Sequence, residues 1–245
     1  MSAEKTDVIK SIREATFCVL IPDPNNHYFP TPRGTGFFIS PNGYFITAAH
    51  VVNVVDVNDD KQIIELERPT NDFSVFVKNL KIINVWNEYD IALLKADLQE
   101  NSKMSYFKDR KEFPYIDIDF NDHFEGEEVL TFGFPLPKAA VQDNENIKIG
   151  LIEFSPRFTS AIISSTVESF KPVRTSNDPK FYVIDKALNY GNSGGPVLIR
   201  SSNRAISICV RFQPQQMKDS GINVPSLYGI TSSLQNIQST LQKLI

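Results

Sequence analysis

Short apolar runs, separated by polar turn segments, recur along most of the chain. Runs of this length, bounded by Gly, Pro, Asn and Asp, are typical of antiparallel strands. Their number and spacing predict an all-β fold of the barrel type. The runs lie at 16–21, 34–40, 44–47, 63–64, 73–77, 82–85 and 91–94, and again at 128–134, 147–154, 159–167, 181–184, 197–199, 205–211 and 227–230.

Helical spacing of apolar residues occurs only near the two ends of the chain. Val8, Ile9 and Ile12 predict a short helix within residues 6–14. A second set predicts a C-terminal helix, at about 232–244, that packs one apolar face on a barrel. Its members are Leu234, Ile237, Leu241 and Leu244.

The middle of the chain, residues 96–126, is polar and irregular and suits a connection between two barrels. We therefore expect a first barrel at about 14–110 and a second at about 125–231. A length of 245 residues is compatible with one domain of this type, so residues 1–245 are predicted to form a single domain.

The composition limits which binding partners and which cellular compartment can be expected for the protein. With 41% hydrophobic residues and 18 Phe the chain can bury a core, and a net charge of −4 without a charged block gives no argument for nucleic acid or a membrane surface. Residues 1–7 lack the apolar segment of a secretion signal, and no run is long enough to span a bilayer. Cys18 and Cys209 lie far apart in apolar runs and are expected to be buried reduced thiols. These features together predict a cytoplasmic protein.

Candidate chemistry centres on residues 189–196, where a serine lies among three glycines and before a proline. Such a segment predicts a tight, accessible turn. If the N–H groups of Gly191 and Ser193 point to one side, they form a two-donor oxyanion hole beside the Ser193 hydroxyl. A serine hydroxyl is a weak nucleophile alone, so acyl transfer also requires a base and a group that orients it.

Candidates for both groups lie upstream. His50 ends a Thr-Ala-Ala-His segment and can act as the base, while Asp90 opens the apolar run 91–94 and can orient the imidazole. Each residue alone is also compatible with a structural role: a glycine turn, a half-buried histidine and a turn carboxylate. The order His, Asp, Ser in matching contexts favours the catalytic interpretation.

Four motifs resemble those of the trypsin-like serine peptidases, most closely the HtrA/Deg branch. The resemblance implies two six-stranded antiparallel β-barrels, and a serine endopeptidase acting through an acyl-enzyme, with Ser193, His50 and Asp90 as its triad. Nothing after the C-terminal helix is expected to form the PDZ domain that many HtrA relatives carry. The motifs are Gly34-Thr35-Gly36-Phe37, Thr47-Ala48-Ala49-His50, Asp90-Ile91-Ala92-Leu93-Leu94-Lys95 and Gly191-Asn192-Ser193-Gly194-Gly195-Pro196.

The resemblance also implies a pocket for the substrate side chain that precedes the scissile bond (P1). Ala187 stands where relatives specific for Lys or Arg carry an acid, so a small to medium apolar P1 residue is expected rather than a basic one. Arg211, turned inward, would instead select an acidic P1 residue. The substrate-binding candidates are Ala187, Leu188, Val210, Arg211 and Ser226, with Leu227 and Tyr228 beside them.

The remaining residues lead to expectations about how the protein is regulated and whether it needs a cofactor. Asn192 replaces the aspartate that pairs with a newly cut N-terminus in digestive relatives, so control by a regulatory protein partner or a homo-oligomer is expected instead. His27, His123 and Asp185 lie in loop-like polar surroundings, and both histidines are expected to be exposed. No zinc-ligand spacing or phosphate loop is present, so neither a metal nor another cofactor is expected. The alternative to a peptidase that cleaves protein or peptide substrates is a binding or scaffold module with little activity.

Overall fold

The computed structural model describes residues 3–23, 26–53, 64–70, 73–103, 106–144, 147–167, 178–216 and 223–245. Its main elements are two closed six-stranded antiparallel barrels, as predicted. In the first barrel the strands follow the order β1-β2-β3-β6-β5-β4. These strands are β1 (Thr16–Asp23), β2 (Asn26–Phe38), β3 (Tyr44–Thr47), β4 (Ile64–Pro69), β5 (Ser74–Trp86) and β6 (Ile91–Lys95).

The second barrel is closed by strands β7 and β10 to β14, in the order β10-β11-β14-β13-β12-β7, and β8 and β9 form a separate hairpin. Three of the six strand pairs in the barrel, β10–β11, β12–β13 and β13–β14, join strands that follow one another along the chain. The strands are β7 (Glu128–Gly133), β8 (Lys138–Asn144), β9 (Ile147–Glu153), β10 (Arg157–Val167), β11 (Phe181–Ile184), β12 (Pro196–Ile199), β13 (Ala205–Gln216) and β14 (Asn223–Ser233).

The helices are short and lie mainly at the ends. α1 (Ala3–Ala15) buries Ile12 against the first barrel. Helical residues at the other end begin only at Leu234, later than predicted, because Ser232 and Ser233 still pair with β13. Ser233 then accepts a hydrogen bond from Gln235 N–H and caps a 3₁₀ turn. The other helices are α2 (Ala49–Val52), α3 (Leu98–Asn101), the 3₁₀ turn η1 (Leu234–Ile237) and α4 (Gln238–Leu241).

The connection between the barrels carries more apolar anchors than its polar composition suggests. Phe107 and Phe113 are fully buried, and Phe113 stacks on Phe38 with ring centroids 4.5 Å apart. Ile116 N–H bonds to Phe38 of β2, and Asp119 N–H bonds to Ala205 of β13. The connection is therefore fixed to both barrels.

Several strands differ from the sequence prediction. The runs 73–77 and 82–85 lie in one strand, β5, while β13 and β14 extend beyond the predicted runs 205–211 and 227–230. β2 starts at Asn26 rather than Gly34, although it contains Pro32. Val19 and Leu20 of β1 pair with Gly34 and Pro32, so Arg33 is the extra residue of a bulge in β2 that accommodates the proline. β8 was not predicted because its alanines and polar residues have low strand propensity. Ile63, which was predicted to begin a strand, lies outside the described residues.

Candidate active site

The first component of the site is a histidine at the rim of the first barrel. β3 ends at Thr47, and the chain turns into the short helix α2, whose second residue is His50. Ala49, Val51 and Val52 of this helix are buried, whereas the His50 side chain is 48% exposed. The apolar neighbours therefore fix the helix while the imidazole remains accessible.

Asp90 meets His50 from the turn that precedes β6. His50 Nδ1 lies 2.8 Å from one Asp90 carboxylate oxygen and 3.0 Å from the other, and His50 N–H also donates to Asp90 at 3.0 Å. A carboxylate can only accept hydrogen bonds, so Nδ1 carries the shared proton and Nε2 is left as an acceptor.

Asp90 adopts an uncommon backbone conformation at this position. Its φ of 54° lies in the left-handed region, which Asp tolerates better than most residues. The Asp90 carbonyl accepts from Ala49 N–H at 3.1 Å, so backbone and side chain hold the same helix. Non-glycine residues in this region often accompany functional sites.

Ser193 lies in the tight turn that enters β12 of the second barrel. Asn192 N–H bonds to Asn189 and Gly195 N–H bonds to Asn192, which closes the turn on both sides of the serine. Gly194 has a φ of 85°, and a Cβ atom there would lie 2.1 Å from the Thr35 carbonyl oxygen and 2.7 Å from Ala48 N. The turn therefore packs directly on the segment that leads to His50.

The carbonyl groups of Gly191 and Ser193 in the turn are bound, whereas the N–H groups of the same two residues are free within the described part of the chain. Gly191 O accepts from Thr35 Oγ1 at 2.6 Å, and Ser193 O accepts from Thr35 N–H at 2.7 Å. Within the described part of the chain, no hydrogen bond uses the N–H of Gly191 or of Ser193, or the Ser193 hydroxyl. These groups are available to a ligand.

Thr35 is the residue of this site to which the sequence analysis gave no role. It bonds to Gly191 and Ser193 as described, accepts from Phe134 N–H at 3.1 Å, and its carbonyl accepts from Thr47 Oγ1 at 2.7 Å. Thr35 thus joins β2 and β3 of the first barrel to the turn of the second. A threonine between two glycines was the available signal.

The predicted P1 residues lie near one another with different exposure. Ala187 is exposed, while Leu188 and Val210 are buried. A Cβ atom on Gly229 of β14 would lie 2.5 Å from Leu188 Cγ, so the segment before Ser193 packs directly on β14. The structure places Arg211 in β13 and Ser226 in β14, and their side chains fall outside the described part.

Two histidine predictions need correction. His27 lies in strand β2, and not in a loop. His123 is only 7% exposed, where exposure was expected. Nδ1 of its ring is bound to Glu127 at 3.0 Å, whereas Nε2 lies 3.8 Å from Asp119 and has no hydrogen-bond partner among the described residues.

Asp185 and the two cysteines, which the sequence also singled out, have surroundings that indicate a structural role. The Asp185 carboxylate accepts from Ile162 N–H at 2.8 Å, in line with a role in loop structure. Cys18 and Cys209 are free and buried, as expected, and burial raises the pKa of the Cys209 thiol to about 12. Neither thiol is therefore a nucleophile at neutral pH.

Two further features of the described residues concern metal ions and membranes. They contain no group of three His, Cys, Asp or Glu side chains arranged for a metal ion. Their helices are also too short or too polar to cross a lipid bilayer.

The double barrel, with a His–Asp pair on one barrel facing a glycine-rich serine turn on the other, defines the trypsin-like class of fold. The family described as trypsin-like peptidase domain matches residues 34–208, and the chain belongs to that family.

Relatives that are similar to the chain in sequence are of the HtrA/Deg type. The chain is 30% identical over 167 residues to a probable periplasmic serine endoprotease DegP-like of Rickettsia conorii, which covers 68% of the chain and 26% of the relative. It is 28% identical over 171 residues to serine protease HTRA1 of Xenopus laevis, covering 69% and 29% respectively. The chain thus spans between a quarter and a third of the length of these relatives.

One solved structure supports the fold independently. The HtrA-type protease AlgW with decapeptide superposes with a TM-score of 0.61 at 18% identity, over 97% of this chain and 66% of that one. At this identity the likeness concerns the fold alone.

Proposed function

We propose that this protein is a serine endopeptidase that hydrolyses peptide bonds in protein substrates through Ser193, His50 and Asp90. The observation that carries the proposal is the His50–Asp90 pair, 2.8 Å apart, on the barrel edge that packs against the serine turn. Family membership supports the same reaction class.

The arrangement supports a specific reaction sequence. Ser193 Oγ attacks the scissile carbonyl carbon and gives its proton to His50 Nε2, while Asp90 stabilises the resulting imidazolium. The oxyanion accepts hydrogen bonds from the free N–H groups of Gly191 and Ser193. His50 then protonates the leaving amine, and water, activated by the same imidazole, hydrolyses the acyl-enzyme.

Labelling by a serine-directed fluorophosphonate tests the proposal without knowledge of the substrate. Wild-type protein is expected to be labelled, and Ser193→Ala is expected to lose labelling while keeping its fold, because the variant lacks the attacking oxygen. Ser201→Ala, which alters an exposed turn serine, is the matched control and should label normally. Equal labelling of Ser193→Ala and wild type would overturn the assignment of the nucleophile.

A binding or scaffold module with little cleavage remains the second candidate. The observation that favours it is that, in the described part of the chain, no hydrogen bond joins the Ser193 hydroxyl to His50. Such contacts are often long before substrate binds, so the peptidase is the better-supported candidate. Absence of labelling in correctly folded wild-type protein would select the scaffold.

For specificity we propose an apolar P1 residue of small to medium size. Leu188 and Val210 supply apolar surface, and the nearest preceding carboxylate, Asp185, is bound to Ile162 N–H. A basic P1 side chain would therefore be buried without a partner, and its desolvation would cost roughly several kcal/mol. Cleavage-site profiling with a peptide library should enrich Val, Ala, Leu or Ile at P1. Dominant Lys or Arg would contradict the apolar pocket, and dominant Glu or Asp would assign Arg211 to it.

The compartment and the control of activity are also proposals. Two free, buried thiols suit a reducing compartment, which supports a cytoplasmic location. The Rickettsia relative is named as periplasmic. Control by a protein partner or a homo-oligomer is proposed because Asn192 cannot pair with an N-terminus as a carboxylate does.

A further inference from the structure

A cavity of about 510 Å³ lies outside the candidate active site, between helix α1 and the two barrels. Its volume is within the range of sites for small ligands. Lys10, Arg13 and Arg68 contribute cationic side chains to its wall. Another part of the wall, on the side of the second barrel, consists of three aromatic residues: Phe132, Phe134 and Phe154.

Arg68 is the unusual residue of this cavity. It is only 7% exposed, and within the described part of the chain its Nε and Nη2 atoms have no hydrogen-bond partner. The guanidinium lies 5.4 Å from the Phe17 ring centroid and 5.1 Å from that of Tyr106, so its flanks are apolar. Burying a cation with unused donors is unfavourable, so an acceptor supplied by a ligand would be bound strongly.

The carboxylate nearest to this guanidinium in the cavity wall is already engaged. Glu14 accepts from Arg110 Nη2 at 3.2 Å and from the Tyr106 hydroxyl at 3.3 Å. Lys10 and Arg13 lie on the exposed face of α1 and add positive charge to the cavity wall. The balance of charge therefore favours an anion, and the neighbouring rings favour an apolar group attached to it.

We propose that this cavity binds a carboxylate carried on an aromatic or aliphatic group, with the carboxylate on Arg68 and the apolar group against Phe154, whose ring packs on the buried Phe134. The same chemistry occurs in a small free acid and at the C-terminus of a peptide that ends in an apolar residue. The planar fork of Arg matches the two oxygens of a carboxylate.

The cavity wall also contacts the serine turn. The carbonyl oxygen of Phe134 would lie 2.4 Å from a Cβ atom on Gly191, and that of Phe132 would lie 2.7 Å from one on Gly195. Phe134 N–H is bound to Thr35 Oγ1, which in turn bonds to Gly191. A ligand that fixes Phe134 therefore stabilises the turn and raises the reactivity of Ser193. This coupling rests on the proposed function, whereas the binding itself does not.

Isothermal titration calorimetry with two carboxylate probes and their neutral amides tests the site on the full chain. The probes are 4-phenylbutyrate and acetyl-Gly-Gly-Phe with a free C-terminus. At least one should bind, and its amide should bind at least about tenfold more weakly, because the charge-assisted hydrogen bonds are lost. The probe that binds more tightly shows whether the carboxylate comes from a small acid or from the C-terminus of a peptide.

Variants distinguish this cavity from other sites on the protein. Arg68→Met should weaken binding of the preferred probe at least about tenfold, and Lys10→Gln with Arg13→Gln should weaken it by a smaller factor. Arg200→Met, which alters an exposed arginine elsewhere, should have no effect. If Arg68→Met fails to fold by circular dichroism, the Lys10/Arg13 variant decides. Lack of binding by both probes, or unchanged affinity in the deciding variant, overturns the site.

A separate readout tests the coupling. The preferred probe should accelerate fluorophosphonate labelling of wild type and have no effect on Arg68→Met. Binding without any labelling would reject the peptidase and leave the site standing. Labelling that the bound probe does not alter would reject the coupling alone.

Discussion

At the scale of single residues, two glycines with the same backbone conformation have very different surroundings. Gly194 and Gly126 have φ values of 85° and 89°. A Cβ atom on Gly194 would collide with backbone atoms of Thr35 and Ala48, whereas one on Gly126 would meet nothing within 4 Å. The pair therefore separates the cost of the backbone conformation from the cost of close packing.

We predict that Gly194→Ala disrupts the serine turn and that Gly126→Ala is mild. Gly126→Ala should lower the free energy of unfolding by about 1–2 kcal/mol, the usual cost of the left-handed conformation. Gly194→Ala should cost more and abolish fluorophosphonate labelling, since two of the three colliding groups are backbone and the third, the Thr47 hydroxyl, is held by its hydrogen bond to the Thr35 carbonyl. Thermal unfolding and labelling measure the two effects. Similar behaviour of both variants would show that packing around Gly194 does not hold the turn.

The sequence predicts the candidate site residues better than the contacts that hold them. Ser193 and its glycines could be assigned because turn chemistry depends on residues adjacent in sequence. The role of Thr35 could not, because its partner Gly191 is 156 positions away and belongs to the other barrel. The buried, unpartnered Arg68 likewise depends on packing between distant segments.

At the scale of elements, the connection between the barrels is held by a buried histidine cluster. Glu127 accepts from Phe124 N–H at 2.7 Å and contacts His123 Nδ1 at 3.0 Å. Burial would raise the pKa of Glu127, but its hydrogen bonds with His123 and Phe124 outweigh this and lower it. The sequence predicted that His123 is exposed, because its partner Glu127, four residues further on, leaves no apolar pattern that would indicate burial.

We predict a pH-dependent effect of Glu127→Gln on stability. Because the pKa of Glu127 is lowered by folding, its ionised form stabilises the fold above the unfolded pKa, at roughly 4.3. The variant should be less stable at pH 7 by up to about 1 kcal/mol, and the difference should shrink as the pH falls below that value and disappear below the lower pKa of the folded state. Urea unfolding at pH 7 and pH 3.5 measures the decrease. An equal difference at both pH values would mean that shape, and not charge, is responsible.

Glu128→Gln provides the control for this measurement. Glu128 contacts Arg200 at 3.5 Å, and both side chains are more than half exposed. Exposed pairs contribute little to stability, so this variant should resemble wild type at both pH values.

Strand prediction succeeded where a run is apolar throughout and failed where other contacts determine the structure. Phe181–Ile184 is apolar throughout and its predicted bounds match β11. β8 pairs only with β9, in a separate hairpin, and its residues carry no apolar alternation for a sequence pattern to reveal. Pro32 masked the beginning of β2 because nothing in the sequence pattern reveals the bulge at Arg33 that accommodates the proline within the strand.

At the scale of the whole molecule, the two barrels share one hydrophobic core. A single cluster of buried residues includes Phe17 and Leu93 from the first barrel and Phe132 and Ile208 from the second. A smaller cluster, including Ile163, belongs to the second barrel only. Contacts shared in this way favour cooperative unfolding, because neither barrel can open without exposing apolar surface of the other.

We predict that the barrels unfold together and that the one tryptophan of the chain reports it. Trp86 ends β5 of the first barrel, so its fluorescence follows that barrel during urea unfolding. Ile208→Ala, in the second barrel, removes fully buried apolar volume and should lower the free energy of unfolding by about 2–5 kcal/mol. With a shared core, this change should shift the Trp86 transition as far as the far-ultraviolet circular dichroism transition. Leu93→Ala, in the first barrel, is the positive control, since it must shift Trp86 in either case. An unchanged Trp86 midpoint in Ile208→Ala, with a shifted dichroism transition, would show that the barrels unfold independently.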